Sequence, residues 1–116
     1  MSSAATDLIA ALDLLRGRGN HVAEAEALTE LGLVWAKLAN HDSAVTALRE
    51  AVDLQRKHGS LHSYGRTLNQ FGMVLQFRND HDEAIVMHQR AMDLSYMVDD
   101  LRGQAAAHNY LGLFMV

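Results

Sequence analysis

The chain repeats itself with a period of 40 residues, and this periodicity limits its possible folds more than any other feature. A shift by one period brings Gly32, Gly72 and Gly112 into register. The same shift aligns residues 1–20 with residues 41–60, and nine of the twenty aligned positions are identical. A repeat of this length is typical of proteins built from stacked units, in which each unit buries its apolar face against its neighbours.

Each repeating unit is predicted to contain two helices. The first helices are predicted over 21–39, 61–79 and 101–116, and the second helices over 3–17, 43–58 and 83–98. Asp42 and Asp82 stand before second helices, where a carboxylate can accept free backbone N–H groups as an N-cap. Asn20, Ser60 and Asp100 are predicted to cap the first helices in the same way. Short connections make successive helices antiparallel, so we expect an all-α array of about six helices.

The repeated glycines indicate close contact between helices. A glycine in the middle of a helix costs about 1 kcal/mol relative to alanine, so its return at one phase needs a structural reason. Leu28, Leu31 and Trp35 share one helical face, and Gly32 lies beside them. Ala44, twelve residues further on, is the small residue expected opposite Gly32 on the second helix.

The recurring positions resemble the consensus of the tetratricopeptide repeat (TPR) family. They read Leu31-Gly32-Trp35-Ala44-Leu48-Ala51, then Phe71-Gly72-Leu75-Ala84-His88-Ala91, and finally Leu111-Gly112-Met115. The period exceeds the usual length of about 34 residues, and the chain has no proline to close its second helices. The longer form is similar to the repeats of kinesin light chains, animal polarity adaptors, bacterial antibiotic-pathway regulators and signalling ATPases. The resemblance implies a TPR-like α-solenoid that holds peptides or domains and has no activity of its own.

The repeat divides the chain into two complete and two incomplete units within a single domain, 1–116. We expect a half-repeat over 1–19, full repeats over 20–59 and 60–99, and a half-repeat over 100–116. One interpretation is that the chain is part of a longer array. The other is that the half-repeats complete each other between molecules, as a closed dimer or as a head-to-tail ring or filament. The residues predicted to carry such self-association are Ala4, Leu8, Leu111, Gly112 and Met115.

The resemblance implies that the first helices line a concave, ligand-binding face. The positions carried over to this face are Thr29, Leu33, Lys37, Arg66, Asn69, Met73, Gln76, Phe77, Asn109 and Leu113. Asn69 and Asn109 are in register, and a carboxamide can both donate to and accept from a peptide unit. The alternative is that these asparagines are simply polar residues on an exposed face. The apolar members of the set favour an apolar ligand or burial by another chain.

These features predict a non-catalytic scaffold that binds a peptide or a partner domain on its concave face. The alternative function is that of a sensor or regulatory segment in a bacterial transcriptional regulator or signalling ATPase. No Ser-His-Asp arrangement, paired carboxylates or glycine-rich phosphate loop indicates an enzyme, and no cofactor is expected.

Composition excludes several other classes of function. The chain has no cysteine, which removes disulfides, thiolate nucleophiles and cysteine-based zinc sites. A net charge of −4 without any lysine or arginine cluster argues against direct nucleic-acid binding. Its apolar runs are far shorter than the roughly 18 residues that a membrane span requires. The acidic, leader-free N-terminus completes the expectation of a cytoplasmic protein without membrane contact.

Histidines are numerous, but they do not predict a metal site. His58 and His62 are four residues apart, yet the intervening Gly59-Ser60 breaks the helix that would place them on one face. His88 and His108 replace residues that the repeat pattern makes large and apolar, and we expect them to meet between adjacent helices. They are then either two half-buried, hydrogen-bonded histidines or a contact that responds to pH.

Overall fold

The computed structural model describes residues 3–112, which form six α-helices and no strand. The helices are α1 (Ala4–Leu15), α2 (His21–Lys37), α3 (His41–His58), α4 (Leu61–Phe77), α5 (His81–Met97) and α6 (Leu101–Gly112). The predicted all-α class and the order of the six helices are therefore confirmed. The predicted helix over 101–116 is described only as far as Gly112.

Successive helices pack against each other and form a curved array. Helices α2 and α3 make the first layer, and α4 and α5 make the second layer. The backbones of α2 and α4 are in contact, as are those of α4 and α6. Among the described residues the backbones of α1, α3 and α5 do not touch one another, and long side chains such as Arg49 and Glu83 (2.8 Å) span the gap. The array is therefore curved, with α2, α4 and α6 on its inner side.

The glycines in register allow the helices of each layer to approach closely. A Cβ atom on Gly32 would lie 2.8 Å from Cγ of Leu48 and 3.2 Å from the carbonyl oxygen of Ala44. A Cβ atom on Gly72 would lie 2.6 Å from the ring of His88. These distances confirm the predicted close contact. They also show that the residue at position 48 or 88 fills the space over the glycine.

Three tight turns share one geometry that the sequence did not reveal. Ala39, Asn79 and Asp99 have positive φ angles of 62°, 69° and 53°. In each turn the next amide donates back into the preceding helix, as from Asn40 to the carbonyl of Trp35 (2.9 Å). This is the Schellman arrangement that closes a helix C-terminus, built here without glycine.

The tight turns correct two predicted N-caps. Because only three residues separate the helices at each turn, α3 and α5 begin at positions 41 and 81 rather than two residues later. The N-caps are Asn40, whose Oδ1 accepts from the amide of Ser43 (3.4 Å), and Asp80. Asp42 and Asp82 lie inside the first turn of α3 and α5. Their negative charges interact favourably with the helix dipole there, but they are not the N-cap residues.

The predicted N-caps of the first helices are confirmed. The side chains of Asn20 and Ser60 accept from the amides three residues further on, at 3.2 and 3.0 Å. Asp100 Oδ1 accepts from the amide of Gly103 at 3.1 Å. This bond holds the pKa of Asp100 below its usual range, and the neighbouring His62 lowers it further.

Candidate functional site

The inner side of the array carries a groove made of three adjoining hollows. The apolar hollow is lined by Leu33, Ala36, Lys37, His41, Met73 and Phe77. The polar hollow is lined by Glu26, Thr29, Glu30, Leu33, Gln55, Arg66, Thr67 and Gln70. The edge hollow, between α4, α5 and α6, includes Leu61, His62, Arg66, Asn69, Asp100, Arg102 and Ala106. Leu33 lines both the apolar and the polar hollow, and Arg66 lines both the polar and the edge hollow, so the three adjoin and are together called the inner groove.

The apolar hollow lies between the C-terminal halves of α2 and α4. Its outer wall is Phe77, which is 55% exposed and stacks on His41 with ring centroids 6.5 Å apart. Met73 forms part of the floor, and the hydroxyl of Tyr110 reaches its sulfur at 4.0 Å. The structure therefore brings Leu33, Lys37, Met73 and Phe77 together in this hollow.

The groove carries charged side chains of both signs. Glu26 and Glu30 lie on the α2 side of the polar hollow, and Arg66 faces them from α4. Within residues 3–112 no carboxylate comes within 4.0 Å of the charged groups of Arg66 or Lys37. Both cations are exposed, so they remain available to a ligand.

The three positions of the predicted peptide-binding ladder have different surroundings. Thr29 is buried, and its hydroxyl donates to the carbonyl of Ala25 at 2.8 Å. Asn69 is buried on the wall of the edge hollow, and its Oδ1 accepts from Nδ1 of His88 at 3.0 Å. Asn109 is exposed on α6. Gln76 is half-buried on α4, and Leu113 lies outside the described residues.

His88 and His108 do not meet, so that prediction is wrong. His88 is fully buried, and its ring stacks on Tyr110 with centroids 4.7 Å apart and planes within 6°. Burial lowers the pKa of His88 from 6.5 to about 4. His108 is exposed and shares a hydrogen bond with the hydroxyl of Tyr96 at 2.9 Å. Each histidine is hydrogen-bonded, but to a different partner.

Sequence reasoning missed Tyr110 as the partner of His88. Position 110 is in register with Gln70 and Glu30, so an aromatic residue there departs from the repeat. His88 departs from the repeat as well, because Leu48 occupies the matching place. These two departures from the repeat lie on neighbouring helices, and that coincidence could have indicated that His88 and Tyr110 are in contact.

The described members of the predicted self-association set lie on two faces that other described residues leave largely uncovered. Ala4 is exposed, and Leu8 is half-buried in a cleft that α1 forms with α2. Leu111 is half-buried, and a Cβ atom on Gly112 would meet no other residue within 4 Å. Met115 lies outside the described residues.

Residues 3–112 hold no group of three or more histidine and carboxylate side chains placed to bind a metal ion. Over the same residues, each helix is too short or too polar to cross a lipid bilayer.

Comparison with known proteins identifies the repeat. The family model described as tetratricopeptide repeat matches residues 25–97, which cover most of α2 and all of α3 to α5. A search of curated proteins finds none that matches the chain. The family match covers more than half of the chain and coincides with its two packed layers. The chain therefore belongs to the tetratricopeptide repeat family.

Proposed function

We propose that the protein is a non-catalytic interaction scaffold that binds an extended peptide segment of another protein along its inner groove. Repeats of this family generally mediate protein–protein interaction. The proposed ligand places a large apolar side chain in the apolar hollow and directs acidic groups toward Lys37 and Arg66.

The observation that carries the proposal is the exposed apolar hollow. Leu33, Met73 and Phe77 converge there although the surrounding inner surface is polar, and Phe77 is more than half exposed. An apolar concavity with a few polar groups at its rim is typical of a binding site. Full burial of one large apolar side chain is worth about 1.5–3 kcal/mol, which corresponds to about a ten- to hundredfold change in affinity.

The exposed cations favour one orientation of the ligand in the groove. Arg66 lies where the polar and edge hollows meet, and Lys37 lies at the rim of the apolar hollow. A ligand with an apolar residue near Phe77 and an acidic residue further along would satisfy both ends of the groove. Exposed charges chiefly affect selectivity and the association rate, so the apolar contact supplies most of the affinity.

The experiment is a selection of binders from a random peptide library displayed on phage, followed by affinity measurement of the enriched peptides. We expect an apolar anchor and at least one acidic residue to be enriched. Phe77→Ser should weaken these peptides about tenfold or more, and Arg66→Glu should weaken those with acidic residues.

Two matched variants on the outer helix α5 serve as controls. Val86→Ser removes an apolar residue that is also exposed (40%), and Arg90→Glu reverses another exposed cation. Neither should change peptide affinity. If no peptide is enriched, or if the enriched peptides bind all four variants alike, the inner groove is not the binding site.

A further inference from the structure

Helices α1 and α3 carry the same packing motif, but only α3 buries it. Ala4, Leu8 and Ala11 occupy the places of Ala44, Leu48 and Ala51, with identical residues at all three positions. In α3 these three side chains are fully buried, and Leu48 fills the space over Gly32. In α1 the first is exposed and the other two are half-buried. The side chains that fit over a repeat glycine are therefore present on α1 without a glycine to cover.

Helix α6 carries the glycine face of the repeat without a second helix packed on it among the described residues. On α2, Leu28 and Gly32 pack against α3, and on α4, Gly65, Leu68 and Gly72 pack against α5. Ala25 of α2 is in register with Gly65. All six of these residues are buried. The corresponding residues of α6, Ala105, His108 and Gly112, are all exposed, and the space over Gly112 is empty of other described residues.

The open faces of α1 and α6 also complement each other at a position where both have a polar residue in place of the apolar residue of the repeat. Leu28 shares a core cluster with Ala47 and Ala51, and Leu68 shares one with Met87 and Ala91. In the same register, position 108 would pack against positions 7 and 11. The apolar residues are replaced there by His108 on α6 and by Asp7 on α1, a polar pair of complementary character.

We infer that α6 of one molecule docks against α1 of a second copy, in the arrangement that α2 adopts on α3. Gly112 then lies under Leu8 of the neighbouring copy, and His108 lies beside its Asp7. The receiving cleft is lined by Ala4, Asp7 and Leu8 of α1 and by Glu30, Leu33, Val34 and Lys37 of α2. Because donor and acceptor faces are different, the contact is head-to-tail and extends into a chain or a ring.

Charge favours this pairing of faces. Among its described residues α6 contains no carboxylate, and it carries Arg102 and His108 on its exposed side. The receiving cleft contains two carboxylates, Asp7 and Glu30, and one cation, Lys37, and neither carboxylate forms an ion pair within residues 3–112. A second copy therefore offers a complementary shape and brings no described carboxylate of α6 against Asp7 and Glu30.

The test is the molar mass of the whole chain, measured by light scattering and by sedimentation over a wide range of concentrations. We expect the mass to rise with concentration beyond that of a dimer. Gly112→Leu and Leu8→Glu should each be monomeric, because each blocks one of the two faces. Gly112→Leu is expected to fold normally, since the added side chain meets no described neighbour.

Mixing the two blocked variants gives the sharpest result. Each variant retains the face that the other has lost, so an equimolar mixture should form a one-to-one pair and nothing larger. Asp7→Lys should weaken assembly at least tenfold, whereas the matched change Asp13→Lys, elsewhere on α1, should leave it unchanged. Circular dichroism confirms that each variant is folded.

Three outcomes would overturn the inference. A wild-type chain that remains monomeric shows that the faces do not pair. A wild-type mass that stops at a dimer shows a closed arrangement instead of head-to-tail assembly. Blocked variants that assemble like the wild type, or that fail to pair when mixed, show that α1 and α6 are not the faces involved.

Discussion

The two layers of the array reach the same backbone packing with different side chains. In the first layer Leu48 fills the space over Gly32, and the nearby Thr29 satisfies its hydroxyl within its own helix. In the second layer His88 fills the space over Gly72, and its Nδ1–H donates to Asn69. Leu48 and His88 are equally buried, with no exposed surface.

The difference shows what each solution requires. A buried apolar side chain needs only a space of complementary shape. A buried imidazole also needs a hydrogen-bond partner and must remain neutral. The second layer provides Asn69 from α4 and the ring of Tyr110 from α6. His88 therefore ties three helices together, including the one that follows its own layer, at the cost of a sensitivity to pH that the first layer lacks.

The largest effect is expected from filling the space under His88. Gly72→Ala places a methyl group 2.6 Å from a ring that Asn69 and Tyr110 hold in place. Overpacking of this kind costs about 3 kcal/mol, and the better helix propensity of alanine returns about 1 kcal/mol. Urea unfolding at neutral pH should therefore show a loss of about 2 kcal/mol.

Gly65→Ala is the matched control on the same helix. Its new methyl group would lie 3.8 Å from the nearest atoms, an ordinary contact, so stability should rise by up to about 1 kcal/mol. In the first layer Gly32→Ala should cost less than Gly72→Ala, because its methyl group would lie 2.8 Å from the aliphatic side chain of Leu48 rather than 2.6 Å from a rigid ring. A loss at Gly32 equal to that at Gly72 would show that ring rigidity does not matter.

The second expected effect comes from giving the second layer the side chains of the first. His88→Leu leaves the buried Oδ1 of Asn69 without its donor, and we expect a loss of about 1.5 kcal/mol. Adding Asn69→Thr should restore most of this loss, because a threonine hydroxyl can bond within its helix as Thr29 does. The two changes should therefore be strongly non-additive.

The same variants isolate the pH response of the second layer. The pKa of His88 is about 4 in the folded chain and 6.5 when it is exposed, so the unfolded state takes up its proton first as the pH falls. This contribution to stability is complete above about pH 6.5 and is lost progressively toward pH 4. The double variant should lose less stability over this range than the wild type. Parallel pH curves for the two proteins would show that His88 is not the sensor.

Much of the fold could be predicted because each structural assignment recurs in successive repeats and can be compared between them. The glycine positions, the helix order and the caps at Asn20, Ser60 and Asp100 follow from residue types whose local chemistry is strong. The groove residues of α2 and α4 were placed by the resemblance to the tetratricopeptide repeat family, which implies that the first helices line the concave face.

The remaining features depend on contacts that one sequence does not display. The turns at Ala39, Asn79 and Asp99 use left-handed backbone without glycine. Asparagine and aspartate tolerate this conformation better than most residues, but alanine at the matching position gives no such signal. The partner of His88 depends on how α6 packs against α5. In this packing the ring of Tyr110 stacks on His88, and His108 contacts Tyr96 instead. Asn69 was expected in the ligand groove, and its burial against His88 likewise reflects tertiary packing.

The smallest expected effect distinguishes the N-caps of the two layers, which stand in register at Asn40 and Asp80. Asn40 accepts from the amide of Ser43, whereas the carboxylate of Asp80 makes no such bond and pairs with Arg78. Asn40→Ala should cost about 0.5–1 kcal/mol at any ionic strength, because it removes a capping bond.

Asp80→Ala should cost less, about 0.5 kcal/mol, because a partly exposed ion pair contributes little. Its effect should also shrink at high salt, since screening weakens the attraction between Asp80 and Arg78. Urea unfolding of both variants at low and high salt measures the difference. If the cost of Asp80→Ala equals that of Asn40→Ala and does not depend on salt, Asp80 acts as a cap in solution, and the two layers begin their second helices in the same way.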